Sequence, residues 1–234
     1  VAWDPARGMT DLSSLEGVDA VVHLAGENIA ARRWTPARKA EIRGSRVEGT
    51  RRLCEALAGL AHPPKVLVSA SAVGFYGDRG GEILTEDSAR GTGFLADVCR
   101  EWEAATEPAS RAGIRVVTLR FGMILSPAGG ALRKMLLPYR LGAGGRIGSG
   151  QQFTSWIAID DAIGVVHHAL CEESVHGPVN AVAPGPVTNA EFTRTLARVL
   201  RRPAFLPVPA FAARLAVGEM ADALLLAGAR VMPA

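Results

Sequence analysis

The stretch that most constrains the fold is Val18 to Gly26, Val-Asp-Ala-Val-Val-His-Leu-Ala-Gly, an apolar run that closes on two small residues. A near-continuous apolar run suits a parallel strand buried on both faces better than a half-solvated strand, which would alternate. A helix signal follows. Thr35 is a good N-cap and Pro36 sits in the first turn, and Ile42, Arg46, Gly49, Leu53, Leu57 and Leu60 then recur at helical spacing until Pro63-Pro64. The alternation repeats: Lys65–Ser71 predicts a second strand, Phe94–Ala112 a helix and Arg115–Phe121 a third strand. Strands that alternate with helices make βαβ units, and βαβ units make an α/β fold with a parallel sheet.

Further on, Ala131–Leu141 predicts a helix and Gly142–Gly150 a glycine-rich loop. Trp156–Ile159 reads as a short strand leading into a helix that Asp160-Asp161 caps and that runs through Cys171. Val179–Val182 is a further short strand, and Thr188-Asn189-Ala190-Glu191 is a capping box that opens a helix to Leu200. The alternation weakens after Gly142. Residues 1–142 are therefore read as the sheet-bearing part and residues 143–234 as a smaller, mostly helical part that faces a substrate.

Several function classes are excluded early. The formal charge is only +3 and the Lys and Arg residues are scattered, which argues against a nucleic-acid groove. No apolar run is long enough to span a bilayer, so no membrane partner is expected either. Cys54, Cys99 and Cys171 have no metal-ligand spacing and read as reduced, buried thiols of a cytoplasmic protein. HExxH, nucleophile-elbow and P-loop motifs are absent, and His23, inside the apolar run, reads as a hydrogen-bonded core residue rather than a metal ligand. A small-molecule substrate remains, with homo-oligomerisation left open.

Open α/β sheets bind ligands at the carboxyl ends of their strands, so the residues there are the candidates. Leu24, Ala25 and Gly26 leave room for a flat group, and equally suit a plain strand end. Arg46 lies on the stripe that faces the sheet and needs a partner there: Glu41, a ligand phosphate, or solvent reached by snorkelling. Ser69, Ser71 and Tyr76 end the second strand. Their hydroxyls can hydrogen-bond and protonate a carbonyl, or simply form a turn and pack. Arg146, Gln151 and Trp156 punctuate the Gly142–Trp156 loop as substrate contacts, the alternative being a connector.

Several blocks together resemble the extended short-chain dehydrogenase/reductase superfamily: His-Leu-Ala-Gly at 23–26, Val-Glu-Gly-Thr at 47–50, Ser-Ala-Ser-Ala-Val at 69–73, Leu-Arg-Phe-Gly at 119–122 and Trp-Ile-Ala-Ile-Asp-Asp at 156–161. Gly-Glu-Asn-Ile at 26–29, Trp-Glu-Ala-Ala at 102–105 and Gly-Gly-Arg-Ile-Gly-Ser-Gly at 144–150 narrow this. They are similar to the atypical epimerase-family proteins often labelled nucleoside-diphosphate-sugar epimerase or cell-division inhibitor. The resemblance implies a Rossmann-like domain that binds NADP(H) in preference to NAD(H), with Leu24, Ala25, Gly26, Glu41, Arg46 and Ile124 at the cofactor.

Two departures qualify that implication. The superfamily carries Tyr-x-x-x-Lys on the helix that begins here at Phe94, where this chain has Phe94-Leu95-Ala96-Asp97-Val98. Catalysis would then fall to Tyr76 with Ser69 or Ser71. The family also opens with a strand, a glycine-rich turn, a helix and a second strand that this sequence does not contain. The expectation is an N-terminally incomplete Rossmann-like sheet, trimmed at both ends, with one strand edge uncovered. Function is expected to be that of an oxidoreductase or epimerase acting on a small carbonyl or sugar-nucleotide. The alternatives are a catalytically silent dinucleotide-binding redox sensor or interaction module, or a chain that binds no cofactor.

Overall fold

Hydrophobic runs with small, β-branched residues pair side by side here, and the helices between them cover both faces. The computed structural model describes residues 15–234 together with the backbone of residues 3–4 and 8–9. In chain order the first half comprises β1 (Trp3–Asp4), β2 (Gly8–Met9), β3 (Ala20–His23), α1 (Pro36–Ala58), β4 (Val66–Ala72), β5 (Ile83–Leu84), α2 (Phe94–Ala104), α3 (Glu107–Arg111) and β6 (Arg115–Phe121). The second half comprises β7 (Met123–Leu125), α4 (Gly130–Arg140), β8 (Phe153–Thr154), β9 (Trp156–Ala158), α5 (Ile159–Cys171), β10 (Gly177–Ala181), β11 (Val187–Thr188), α6 (Asn189–Leu200), α7 (Ala210–Val217) and β12 (Arg230–Val231).

The main sheet has the order β10-β6-β4-β3, and every pairing in it is parallel. Its register sets His23 beside Ser69 and Ser69 beside Thr118; β4 and β6 run on together to Ala72 and Phe121, past the end of β3 at His23, and all three point their carboxyl ends to the same rim. Central β4 is buried from Val66 to Ser71, as a strand covered on both faces must be. On one face Leu53, Cys54 and Leu57 of α1 pack with Leu67 and Ala109; on the other, Ala169 of α5 packs with Val66, Val68, Val117 and Leu119. Fully buried Leu57 and Leu67 each contribute roughly 1.5–3 kcal/mol of transfer free energy. Among the described residues β3 is an end strand, and Val22 stands 40% exposed on it.

Three local expectations need correction. The helix expected over 94–112 breaks into α2 and α3, because Pro108 has no N–H to donate to Ala104. Asp160 and Asp161 do not cap α5: its N-cap is Ala158, and the two carboxylates lie in the first turn, where they meet the positive end of the helix dipole. Cys171 is exposed, whereas Cys54 and Cys99 are buried as expected. The capping box on α6 forms as read, with Glu191 N donating to Thr188 Oγ1 and Thr188 N to Glu191 Oε2. The chain beyond Gly142 does not stay apart from the sheet, since α5 covers it and β10 extends it.

Candidate functional site

The rim where β3, β4 and β6 end is the candidate site. After β3 the chain leaves the sheet through Leu24, 58% exposed, half-buried Ala25 and exposed Gly26. Helix α1 holds this exit from behind. Arg46 Nη1 donates to the carbonyls of Glu27 at 3.0 Å and Ile42 at 3.2 Å, and its guanidinium lies 5.0 Å from the centre of the Trp102 ring. A Cβ on residue 26 would come within 3.2 Å of Arg46 Cζ, so glycine allows this close approach of backbone and guanidinium without displacing the side chain. Burial lowers the Arg46 pKa, and among the described residues Arg46 makes no ion pair. A desolvated cation satisfied only by carbonyls, beside an exposed glycine and an apolar leucine, is a fitting place for a phosphate next to a flat apolar group.

The same exit is tied down by a residue the sequence reading missed. Buried Arg38 donates to Glu27 at 2.9 Å, to Glu41 at 2.7 Å and to the Asn28 carbonyl at 2.6 Å. Its one legible signal was a charge in the first turns of a helix that packs on the sheet. Glu41 accepts from Arg38 and Arg32, which hold its carboxyl below the ordinary value. The structure therefore pairs Glu41 with these two arginines rather than with Arg46.

Behind β3, His23 Nε2 lies 3.0 Å from Thr50 Oγ1, which also accepts from Trp102 Nε1 at 2.9 Å. Burial lowers the His23 pKa to about 4, so the ring is neutral at physiological pH. His23 is a hydrogen-bonded core residue, as its place in the apolar run implied.

The expected catalytic residues Ser69, Ser71 and Tyr76 are all buried, with the Ser71 and Tyr76 hydroxyls engaged inside the protein. Tyr76 is fully buried; its hydroxyl donates to Asn180 Oδ1 at 2.7 Å and accepts from Arg120 at 2.9 Å, and burial raises its pKa. A phenol so engaged is a poor general acid. Ser69 is fully buried, and Ser71, 3% exposed, donates to Glu103 at 2.6 Å. Glu103 in turn holds Arg120 through two bonds of 2.8 Å. Arg120, Glu103 and Asn180 were all missed, although a charge inside the apolar run of β6 demands a carboxylate somewhere. Phe94 packs edge-on against Trp34 at 5.2 Å and Val98 is buried, so neither position carries a proton.

Ile124 is half-buried on β7, paired with Ile157 of β9. In the 142–156 loop Arg146 and Gln151 are exposed, and half-buried Trp156 donates to the Gly185 carbonyl at 3.0 Å. Arg146 reaches the Ser149 carbonyl at 3.1 Å, a bond within the loop. An open cleft of about 430 Å³ lies between the starts of α1 and α2, but its cations are already paired, Lys39 with Glu219 and Arg43 with Glu101.

Comparison with known proteins decides the family. The profile of the NAD dependent epimerase/dehydratase family matches residues 6–182. The chain belongs to this family. A second profile, a domain of unknown function (DUF1731), matches residues 208–234. The chain is 46% identical to epimerase family protein MT2273 of Mycobacterium tuberculosis, over 99% of this chain and 76% of that one. It is 41% identical to human epimerase family protein SDR39U1, over 100% of this chain and 79% of the human one. The crystal structure of human SDR39U1 (isoform 2) with NADPH superposes with a TM-score of 0.89 at 40% identity, covering 98% of this chain and 76% of that one. The nucleoside-diphosphate sugar epimerase of Corynebacterium glutamicum superposes with a TM-score of 0.73 at 42% identity, covering 95% and 48%. This epimerase-family chain thus has the parallel, Rossmann-like α/β architecture that its alternation of strands and helices implied.

Proposed function

We propose that this chain binds NADP(H), in preference to NAD(H), against the exit of β3, and that it acts as an oxidoreductase or epimerase on a small carbonyl or sugar-nucleotide substrate. The observation that carries the reading is Arg46, a half-buried cation beside Gly26 that stacks on Trp102 and, among the described residues, hydrogen-bonds only to carbonyls. The human relative's structure with NADPH supports the choice of cofactor. Arg46 would hold a phosphate oxygen, Gly26 would admit it to the backbone, and Leu24 with Ile124 would supply apolar wall. The bound nicotinamide would supply hydride exchange. Arg146, Gln151 and Trp156 would meet the substrate from the 142–156 loop, on the side formed by residues 143–234. The free cysteines support a cytoplasmic setting.

Titration of NADPH and NADH by cofactor fluorescence tests this. NADPH should bind more tightly than NADH, and Arg46→Ala should weaken NADPH by about 1.5–3 kcal/mol, the value of a hydrogen bond to a charged group. Unchanged affinity in the variant would remove Arg46 from the site.

A second reading, a catalytically silent dinucleotide-binding sensor or interaction module, has its own observation. The hydroxyls of Tyr76 and Ser71 are both spent inside the protein, on Asn180 and Glu103. A screen of carbonyl and sugar-nucleotide substrates separates the two. Turnover that disappears in Ser71→Ala or Tyr76→Phe, with NADPH affinity intact, supports the enzyme; NADPH binding with no turnover on any substrate supports the sensor.

A further inference from the structure

Two stretches of the sequence lack carboxylates altogether: none occurs between Glu107 and Asp160, and none between Glu191 and Glu219. The fold brings them together. Tyr139 Oη bonds Thr193 Oγ1 at 3.0 Å, the Arg202 guanidinium donates to the Arg140 carbonyl at 3.1 Å, and Val208 N donates to the Arg146 carbonyl at 2.8 Å. The result is one corner of the molecule, built from the ends of α4 and α6 and the connection that leads to α7. Arg140, Arg198, Arg201 and Arg202 are exposed there, and among the described residues none of them has an ion-pair partner.

Large apolar side chains stand in solvent between these cations. Leu141 is 74% exposed, Val199 72% and Phe205 77%. Phe211 and Leu215, one turn apart on the following α7, are 71% and 75% exposed. Such clustering is uncommon on a surface that meets only water.

We propose that this corner is a docking surface for an anionic lipid bilayer. A bilayer surface offers phosphate groups to the arginines and an acyl boundary to the leucine and phenylalanine side chains, which is the pairing this corner presents. A second copy of the chain is a poor occupant, because an isologous contact would set uncompensated positive charge against itself. A nucleic acid would meet the cations with phosphates but would leave the apolar side chains with nothing to bury against. No helix among the described residues is long and apolar enough to cross a membrane. Lying on the surface needs no such helix, so the sequence argument against a membrane partner, which rested on spanning length, does not reach this mode.

Co-sedimentation with vesicles tests the proposal. The chain should pellet with vesicles of phosphatidylglycerol and phosphatidylcholine at low salt, should stay in solution with phosphatidylcholine alone, and should be released by high salt. Reversing two exposed charges, Arg198→Glu with Arg201→Glu, should lower partitioning about tenfold or more. Leu141→Ser with Phe205→Ser should also weaken it severalfold. Unchanged thermal melting checks the fold of each variant, and the single exposed substitution Phe205→Ser serves if a pair melts early. Failure to pellet with phosphatidylglycerol at low salt would overturn the proposal. So would wild-type binding by both variant pairs, or displacement of the chain from vesicles by duplex DNA at equal phosphate.

Discussion

A histidine inside a packed strand has to give up its charge, and at His23 this makes stability depend on pH. The folded pKa is about 4 and the unfolded value 6.5. Above 6.5 neither state is protonated and burial carries no penalty. As pH falls from 6.5 towards 4 the unfolded chain takes up a proton that the folded chain refuses, so stability is lost, by up to roughly 3 kcal/mol. The lowered carboxylates, Glu16, Glu41, Glu101, Glu172 and Glu191, act mainly as pH nears and passes below their ordinary value of 4.5. Between pH 6.5 and 4.5 the slope therefore belongs largely to His23, and melting of His23→Gln should be flatter there than that of the parent chain. A slope as steep in the variant would show that the imidazole is not its source. The role of His23 was legible in the sequence because an ionisable group in an apolar run has few options. Its partner Thr50, which also accepts from Trp102, was not, since it lies on a helix 27 positions further along the chain.

At the scale of elements, the most informative outcome is the 142–156 loop. Five glycines over 142–150 read as freedom. In the fold they allow close packing instead: a Cβ at Gly145 would sit 1.5 Å from the Leu206 carbonyl oxygen, and the loop is stitched to its neighbours by Gly148 N to Val208 O at 2.9 Å and Ile147 N to Asn189 Oδ1 at 2.8 Å. Gly145→Ala should therefore destabilise the chain by about 1–3 kcal/mol or more, measured by chemical denaturation. A neutral effect would mean that the connection at 206 moves freely. The capping box of α6 was readable because its two residues are three positions apart. The break between α2 and α3 was signalled by Pro108, but the apolar periodicity running through it carried the expectation further.

Across the whole molecule, one buried polar network joins parts that the sequence keeps far apart. Arg120 on β6 bridges Glu103 of α2 and Tyr76 beyond β4, Tyr76 bonds Asn180 on β10, and Asn180 Nδ2 reaches the Met232 carbonyl at 2.9 Å, just past β12. The Arg120 side chain is 4% exposed and that of Glu103 15%. Breaking one half of such a pair leaves a buried charge, so Glu103→Gln should cost about 3–5 kcal/mol in equilibrium unfolding. Replacing both partners, Glu103→Gln with Arg120→Met, should cost less than the two single changes added together. Strict additivity would mean that the pair does not act as a unit.

The sequence by itself determined the order of strands and helices, the parallel sheet that this order requires, the α6 cap and the burial of His23. These follow from periodicity, caps and small residues, which act over a few positions. Only the tertiary structure decided which charges are partnered: Glu41 goes to Arg38 and Arg32, Tyr76 turns inward, Arg120 finds Glu103, and Arg46 is left to carbonyls. Partner choice depends on groups brought together from as far as 180 positions apart, as with Lys39 and Glu219, and no local pattern encodes that distance.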